Sequence, residues 1–327
     1  MLLDPFKRKI NYLRISITDR CNLRCRYCMP EEGLQIIPHE EILSYEEILR
    51  LVRVFAAEGI SKVRLTGGEP LVRKGIVHFI SSLSQIKEIK DLTLTTNGVL
   101  LKEFAHDLKK AGLKRINISL DSLKKERFSQ ITRKDDFERV WEGIEEALRV
   151  GFSPIKINMV AMKGLNDDEI ESFAELTLRL PLVVRYIEYM PSGNGEEWRG
   201  SDLLTVPQIM NRIEKLGKLT PVPQGPWDGP AKRFRIERAI GEIGLIGAIS
   251  NHFCDDCNRL RLTPDGKIRT CLFSDEEIDV KELLRNGGAD HDLKEKLLIA
   301  IKKKPERHPI NTHQFKKCQR NMSAIGG

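Results

Sequence analysis

Six of the seven cysteines in this chain fall into two local groups: Cys21, Cys25 and Cys28 near the start, and Cys254, Cys257 and Cys271 in the last third. Clusters of this kind point to metal ligation or reactive thiols ahead of a disulfide framework. Cys21-x3-Cys25-x2-Cys28 puts three thiolates in one tight loop with no fourth nearby. A 4Fe-4S cluster ordinarily takes four cysteines, so one held here keeps an iron open to exchangeable ligands, where chemistry occurs. A zinc loop is the competing reading, but such sites usually need four ligands, and no histidine lies between Cys21 and His39.

The second group reads Cys-x2-Cys-x13-Cys with His252 close by, a spacing that suits a Cys3His zinc site and an iron-sulfur site equally. Arg259 and Arg261 follow in NRLRL, alternating on an expected strand so that both face one side. Two guanidiniums beside a metal site suit a polyphosphate, whose oxygens they pair in a fixed fork. Arg14, Arg64, Lys156 and Arg185 sit on separate expected strands and would form a basic lining if those strands share a cavity. Cys318 stands apart in a basic stretch and is read as a free thiol outside either site.

Positioning these groups requires a frame, and the hydrophobic period supplies one. Short β-rich runs (12–18, 62–66, 91–96, 115–120, 155–162, 183–189) alternate with amphipathic stretches. The first helix is expected over 45–57, opened by a Ser44/Glu47 capping box, closed by Gly59, and apolar at Ile48, Leu51, Val52 and Phe55. Six strand-helix units predict an α/β fold of parallel strands, closed or partly closed as a barrel. Pro221, Pro223, Gly225, Pro226, Gly229 and Pro230 mark a linker or long turn. We therefore expect one domain over 1–227 and a smaller C-terminal domain over 228–327 that carries the second cysteine group.

RCNLRCRYCMP resembles the signature of the radical S-adenosylmethionine superfamily, and LTGGEP at 65–70 its methionine-binding motif. The resemblance implies an incomplete (β/α)6 TIM-like barrel. It also implies an open iron chelated by the amino and carboxylate groups of S-adenosylmethionine, whose cleavage yields a deoxyadenosyl radical. LRISITDRCNLRCRYCMP, RLTGGEPLVR, LTTNG, NISLDSL, FCDDCNRLRLTPDGKIRTCLF and the terminal IGG are together similar to the GTP 3',8-cyclase family of molybdenum cofactor biosynthesis, over nearly the whole chain.

That resemblance implies a second 4Fe-4S cluster on Cys254, Cys257 and Cys271 whose open iron meets guanine. Arg14, Arg64, Thr95, Lys156, Arg259 and Arg261 would contact GTP, and Tyr27, Gly68, Ser119 and Met190 would line the S-adenosylmethionine site. Gly326 and Gly327 would reach into the pocket and, with Arg259 and Arg261, serve the reaction. The implied chemistry is hydrogen abstraction from ribose C3', attack on guanine C8 and reduction to (8S)-3',8-cyclo-7,8-dihydroguanosine 5'-triphosphate. A homodimer is the family expectation, and the next enzyme, cyclic pyranopterin monophosphate synthase, the functional partner. Asn117 departs from the family pattern, standing where a small residue is expected.

Bulk properties bound the alternatives. With 40% hydrophobic and 31% charged residues the chain reads as globular. It contains no apolar run of about 18 residues for a membrane span, and its N-terminus lacks the apolar core of a signal peptide; a cytoplasmic location is expected. The excess of 54 basic over 47 acidic residues is a weak pointer to any partner, and KKKPERH at 302–308 reads as a solvated basic surface. A metal-stabilised nucleic-acid regulator would need aromatics interleaved with basics, and 6% aromatic residues provide no such stretch. Another radical enzyme with an auxiliary cluster, acting on peptide or RNA, is the nearer rival.

Overall fold

The computed structural model describes residues 1–190, 200–225, 227–308, 310 and 318–326. The six expected strands form as β1 (Tyr12–Ser16), β2 (Lys62–Thr66), β3 (Asp91–Thr96), β4 (Arg115–Ser119), β5 (Ile155–Ala161) and β6 (Leu182–Glu188). Between and after them lie α1 (Tyr45–Glu58), α2 (Ile76–Ser84), α3 (Leu101–Lys110), α4 (Lys125–Thr132), α5 (Phe137–Arg149), α6 (Ile170–Arg179) and α7 (Val206–Ile213). Helix α1 begins where its sequence requires: Ser44 Oγ accepts from Glu47 N at 3.1 Å and Glu47 Oε2 accepts from Ser44 N at 2.6 Å. It buries Ile48, Leu51, Val52 and Phe55 and stops at Gly59, whose φ of +122° suits glycine.

The remaining strands are β7 (Leu219–Val222), β8 (Lys232–Ile236), β9 (Glu242–Ile246), β10 (Arg259–Leu262), β11 (Lys267–Arg269) and β12 (Glu277–Asp279). Helices α8 (Lys281–Arg285), α9 (Asp290–Lys302) and α10 (Met322–Ile325) complete the chain. All strands join one open sheet in the order β12-β11-β10-β1-β2-β3-β4-β5-β6-β9-β8-β7. Strands β10, β1 to β6 and β9 run parallel, forming the partial barrel. The Pro/Gly-rich stretch read as a linker is the turn between β7 and β8, which pair antiparallel. The segment after residue 228 therefore adds strands to both edges of the sheet.

The alternation along the strands decides what the barrel is for. Leu13, Ile15, Val63, Leu65, Leu94, Ile116, Ile118, Ile155, Ile157 and Val184 are buried in one apolar core with the helices. The intervening positions Arg14, Arg64, Thr95, Ser119, Asn158 and Arg185 line a cavity on the other face. An interior lined with guanidiniums and hydroxyls is a binding chamber, unlike the apolar side-chain layers that fill a closed barrel.

Candidate active site

Cys21, Cys25 and Cys28 lie in the loop after β1, on the wall of that chamber. The loop is fixed through its backbone: Arg24 N and Arg26 N donate to Thr132 O and Ile131 O, each at 2.9 Å. Arg133 Nη1 donates to Arg24 O and Met29 O, each at 3.0 Å. Burial, then Glu69, pushes the Cys21 thiol up to about 11. Burial, then Cys21, pushes Cys28 up to about 12, and Cys25 is raised for like reasons, burial first and Cys28 next. Three half-buried thiols whose ionisation is opposed by desolvation and by neighbouring negative groups fit a site where iron supplies the compensating charge.

The Gly67-Gly68-Glu69 turn crosses the same loop at backbone contact. A Cβ on Gly68 would lie 2.3 Å from Arg20 O, and one on Gly67 2.6 Å from Thr18 O. The Gly68 N–H donates to Thr18 O at 2.7 Å, so these glycines serve an approach of chain to chain. Glu69 is buried, and burial raises its carboxyl to about 7. It accepts from Leu71 N (3.0 Å), Thr96 Oγ1 (2.7 Å) and Asn97 N (2.6 Å). Two carboxylate oxygens have room for about four such bonds, which leaves one for a ligand ammonium. Tyr27, Ser119 and Met190 line the chamber beside Gly68. The Tyr27 hydroxyl donates to Asp121 Oδ2 at 2.7 Å, a buried partner on the same wall that sequence reading missed. Asn117 is buried and donates to Leu94 O at 3.0 Å, which ties β4 to β3.

Strand register brings the basic residues together: Arg14 lies opposite Arg64 on one side and Arg261 on the other, and Asn158 opposite Arg185. None of Arg64, Arg185, Arg259 and Arg261 has a carboxylate in ion-pair range among the described residues. Burial, then Arg64, lowers Arg185 to about 9; Arg14 falls to about 10, first through burial. Burial raises the Tyr12 hydroxyl, but Arg64, Arg14, Lys62 and Arg259 outweigh it and bring it to about 8. Lys156 is buried 3.7 Å from Asp228, and burial and then Arg185 depress it to about 6. An array of buried, mutually repelling cations is a site for a polyanion. Thr95 Oγ1, Asn158 Oδ1, Arg185 Nε, His252 Nδ1 and Thr270 Oγ1 are buried on this wall without protein partners. Orphaned polar atoms are rare in interiors, and five around one chamber mark seats for ligand groups.

Cys254, Cys257 and Cys271 face the same chamber as the first triad. Burial opposes ionisation of Cys257, yet Arg259 and Lys304 prevail and lower its thiol to about 6. Arg259 Nη2 lies 3.8 Å from Cys257 Sγ, and its guanidinium stacks 4.7 Å from the Phe253 ring. Arg8 clamps the loop by donating to Cys254 O (2.7 Å), Pro305 O (2.7 Å) and Glu306 O (2.8 Å). Among the described residues no group of three Cys, His, Asp or Glu side chains is gathered around a single ion position, at this triad or at the first.

The stretch read as a solvated basic surface is one at Lys302, Lys303, Glu306 and Arg307, which are exposed, and departs from that reading at Lys304 and His308. Lys304 is 4% exposed and contacts Cys257, and His308 lines the chamber, because the chain turns inward after α9. Cys318 lies elsewhere, accepting from Arg269 Nη2 at 2.8 Å and donating to Asp275 Oδ1 at 3.0 Å.

The tail returns to the chamber. Arg320 pins its root to Asp265, and Met322 and Ser323 reach the wall. Ser323 O accepts from Ser16 Oγ at 3.2 Å, and the Ser323 backbone hydrogen-bonds Cys28. Gly326, at φ +79°, accepts from Arg261 Nη1 at 2.5 Å through its carbonyl. Gly327 lies outside the described residues.

A partial parallel barrel with an open three-cysteine loop at the strand ends defines a radical S-adenosylmethionine enzyme. Residues 15–177 match the radical SAM superfamily model and residues 182–310 the Molybdenum Cofactor Synthesis C model. The chain is 52% identical over 326 residues to the GTP 3',8-cyclase of Thermodesulfovibrio yellowstonii, covering 99% of each. It is 49% identical over 328 residues to that of Geobacter sulfurreducens, covering 100% of this chain and 99% of the relative. The crystal structure of Streptococcus suis SuiB bound to S-adenosylmethionine shares the fold, with a TM-score of 0.60 and 16% identity over 94% of this chain and 77% of that one. The chain belongs to the GTP 3',8-cyclase family. As a radical SAM enzyme it uses a 4Fe-4S cluster and S-adenosylmethionine. No helix among the described residues is long and apolar enough to cross a membrane.

Proposed function

We propose that this enzyme converts GTP to the 3',8-cyclised dihydronucleotide in the chamber between its two cysteine triads. The carrying observation is the buried cation array between them, on a wall that also holds unpartnered polar atoms. Cys21, Cys25 and Cys28 hold one 4Fe-4S cluster, and Cys254, Cys257 and Cys271 hold a second. When bound, the first cluster and S-adenosylmethionine supply the one-electron chemistry that removes hydrogen from ribose C3'.

The chain's own residues bind and orient. Arg14, Arg64, Lys156, Arg259 and Arg261, with Arg185 added from the fold, take the triphosphate and the ribose end, and Thr95 offers a hydroxyl. Tyr27, Gly68, Ser119 and Met190 form the S-adenosylmethionine wall. Gly326, with Gly327 beyond it, completes the pocket beside Arg261. Residues 1–227 serve the first cluster and S-adenosylmethionine, 228–327 serve the second cluster, and GTP is held by residues of both. A cytoplasmic homodimer that hands its product to cyclic pyranopterin monophosphate synthase completes the reading.

The test is anaerobic turnover of GTP carrying deuterium at C3'. Deuterium transferred into 5'-deoxyadenosine together with a cyclised product is expected. Deoxyadenosine formed while GTP stays unchanged would overturn the substrate assignment.

A further inference from the structure

We infer that Lys304 is the fixed cation of the second cysteine triad and sets the reduction potential of the cluster held there. This rests on reading Cys254, Cys257 and Cys271 as a cluster site. Lys302 and Lys303 end α9 in solvent, and Lys303 pairs with Glu276. Lys304, the next residue, turns inward and is 4% exposed. Its ammonium donates to Arg259 O at 2.9 Å, to Thr270 O at 2.8 Å and to Cys257 Sγ at 3.4 Å. Three donors thus meet three acceptors.

Only one of those acceptors can balance a charge. The two carbonyls are neutral, and among the described residues no carboxylate lies in ion-pair range of Lys304. The half-buried Arg259 and the buried Arg8, both close by, repel it. A buried ammonium in such company persists when its counter-ion is built in, and here the counter-ion is the thiolate set of the triad. The contacts are also placed symmetrically about the ligands: Thr270 directly precedes Cys271, and Arg259 lies two residues after Cys257. An N–H donor and a positive charge fixed against a ligand sulfur favour the more negative, reduced state of an iron-sulfur cluster. Lys304 is therefore a positioning and tuning residue. It reaches the cluster through Cys257 and does not touch substrate.

The experiment is a redox titration of the anaerobically reconstituted holoenzyme followed by electron paramagnetic resonance, reading the signal that GTP perturbs. In Lys304→Met the reduced-to-oxidised ratio of that cluster at fixed potential should fall at least tenfold, which is about 59 mV for a one-electron couple. Lys304→Arg should retain most of the wild-type ratio, and the first cluster should not move in either. An unchanged ratio in a fully iron-loaded Lys304→Met, or equal shifts in Met and Arg, would overturn the inference. If Lys304→Met loses the second cluster, Lys304→Gln carries the comparison. Cluster loss in Met and Gln but retention in Arg supports a charge role, while loss in all three reduces Lys304 to a backbone pin. Wild-type enzyme with iron for one cluster only, or unaltered iron in Cys257→Ser, would instead refute the cluster reading itself.

Discussion

Arg261 Nη1 donates to the carbonyl oxygen of Gly326 at 2.5 Å, linking the middle of β10 to the end of the tail inside the chamber. The glycine is compelled twice: its φ is +79°, and a Cβ there would lie 2.2 Å from Thr66 Oγ1. Gly326→Val should expel the tail and free Arg261, with iron and sulfide content unchanged. The left-handed backbone alone costs about 1–2 kcal/mol for an L side chain before the clash is counted. Formation of cyclised product should drop at least ~10-fold, and wild-type turnover in a fully loaded Gly326→Val would remove the tail from the pocket's function.

Arg185 was visible in VVRY as a basic residue on a strand, but its place opposite Asn158 and its unpartnered Nε appear only in the folded sheet. Arg185→Ala should weaken GTP binding roughly 10- to 100-fold, on the scale of about 1.5–3 kcal/mol for a hydrogen bond to a charged group. Guanosine, which lacks phosphates, should lose far less. Equilibrium dialysis with both ligands distinguishes the two, and equal losses would place Arg185 away from the phosphates.

Lys156 is held at about 6 without nucleotide, first by burial and then by Arg185. A triphosphate beside it restores the charged form, so GTP binding takes up a proton at pH values above about 6. The sign follows: affinity is greatest below that value and declines as pH rises through it, by at most about tenfold per unit. Calorimetry in buffers of different ionisation enthalpy reads this uptake. The share due to Lys156 is the difference from Lys156→Gln, which subtracts the titration of GTP itself, and an identical uptake in that variant would assign the proton elsewhere.

Cys318 hydrogen-bonds Arg269 and Asp275. Cys318→Ser should therefore keep full iron content and lose at most about 1–2 kcal/mol of stability, the scale of a perturbed buried hydrogen bond. Cys271→Ser should lose the iron of one cluster. Reduced iron in Cys318→Ser would make it a ligand after all.

Local signals carried much of this architecture. The Ser44/Glu47 box and the spacing of Ile48, Leu51, Val52 and Phe55 specify α1 without reference to the rest of the chain. What could not be read there depends on partners distant in sequence. KKKPERH has the composition of a surface, and nothing local reveals that Lys304 meets Cys257 or that Arg8 grips Cys254. Gly67 and Gly68 read as room for a ligand because the backbone that crosses them, Thr18 to Arg20, joins them only through the β1–β2 pairing. The proline-rich stretch after residue 217 joins β7 to β8, and the alternation of β8 and β9 does not reveal that β9 lies beside β6.

The pairing of β1 with β10 has a consequence for how the enzyme is made. Tyr12 lies opposite Arg259, 247 positions later in the chain. At about 5–20 residues per second, β1 waits roughly 12–50 s on the ribosome before its second neighbour exists. Throughout that interval the strand leading into Cys21 is an exposed edge, and the tail that covers Cys28 has not been synthesised. The loop of the first triad thus gains its β10 wall only after the whole intervening chain has been made.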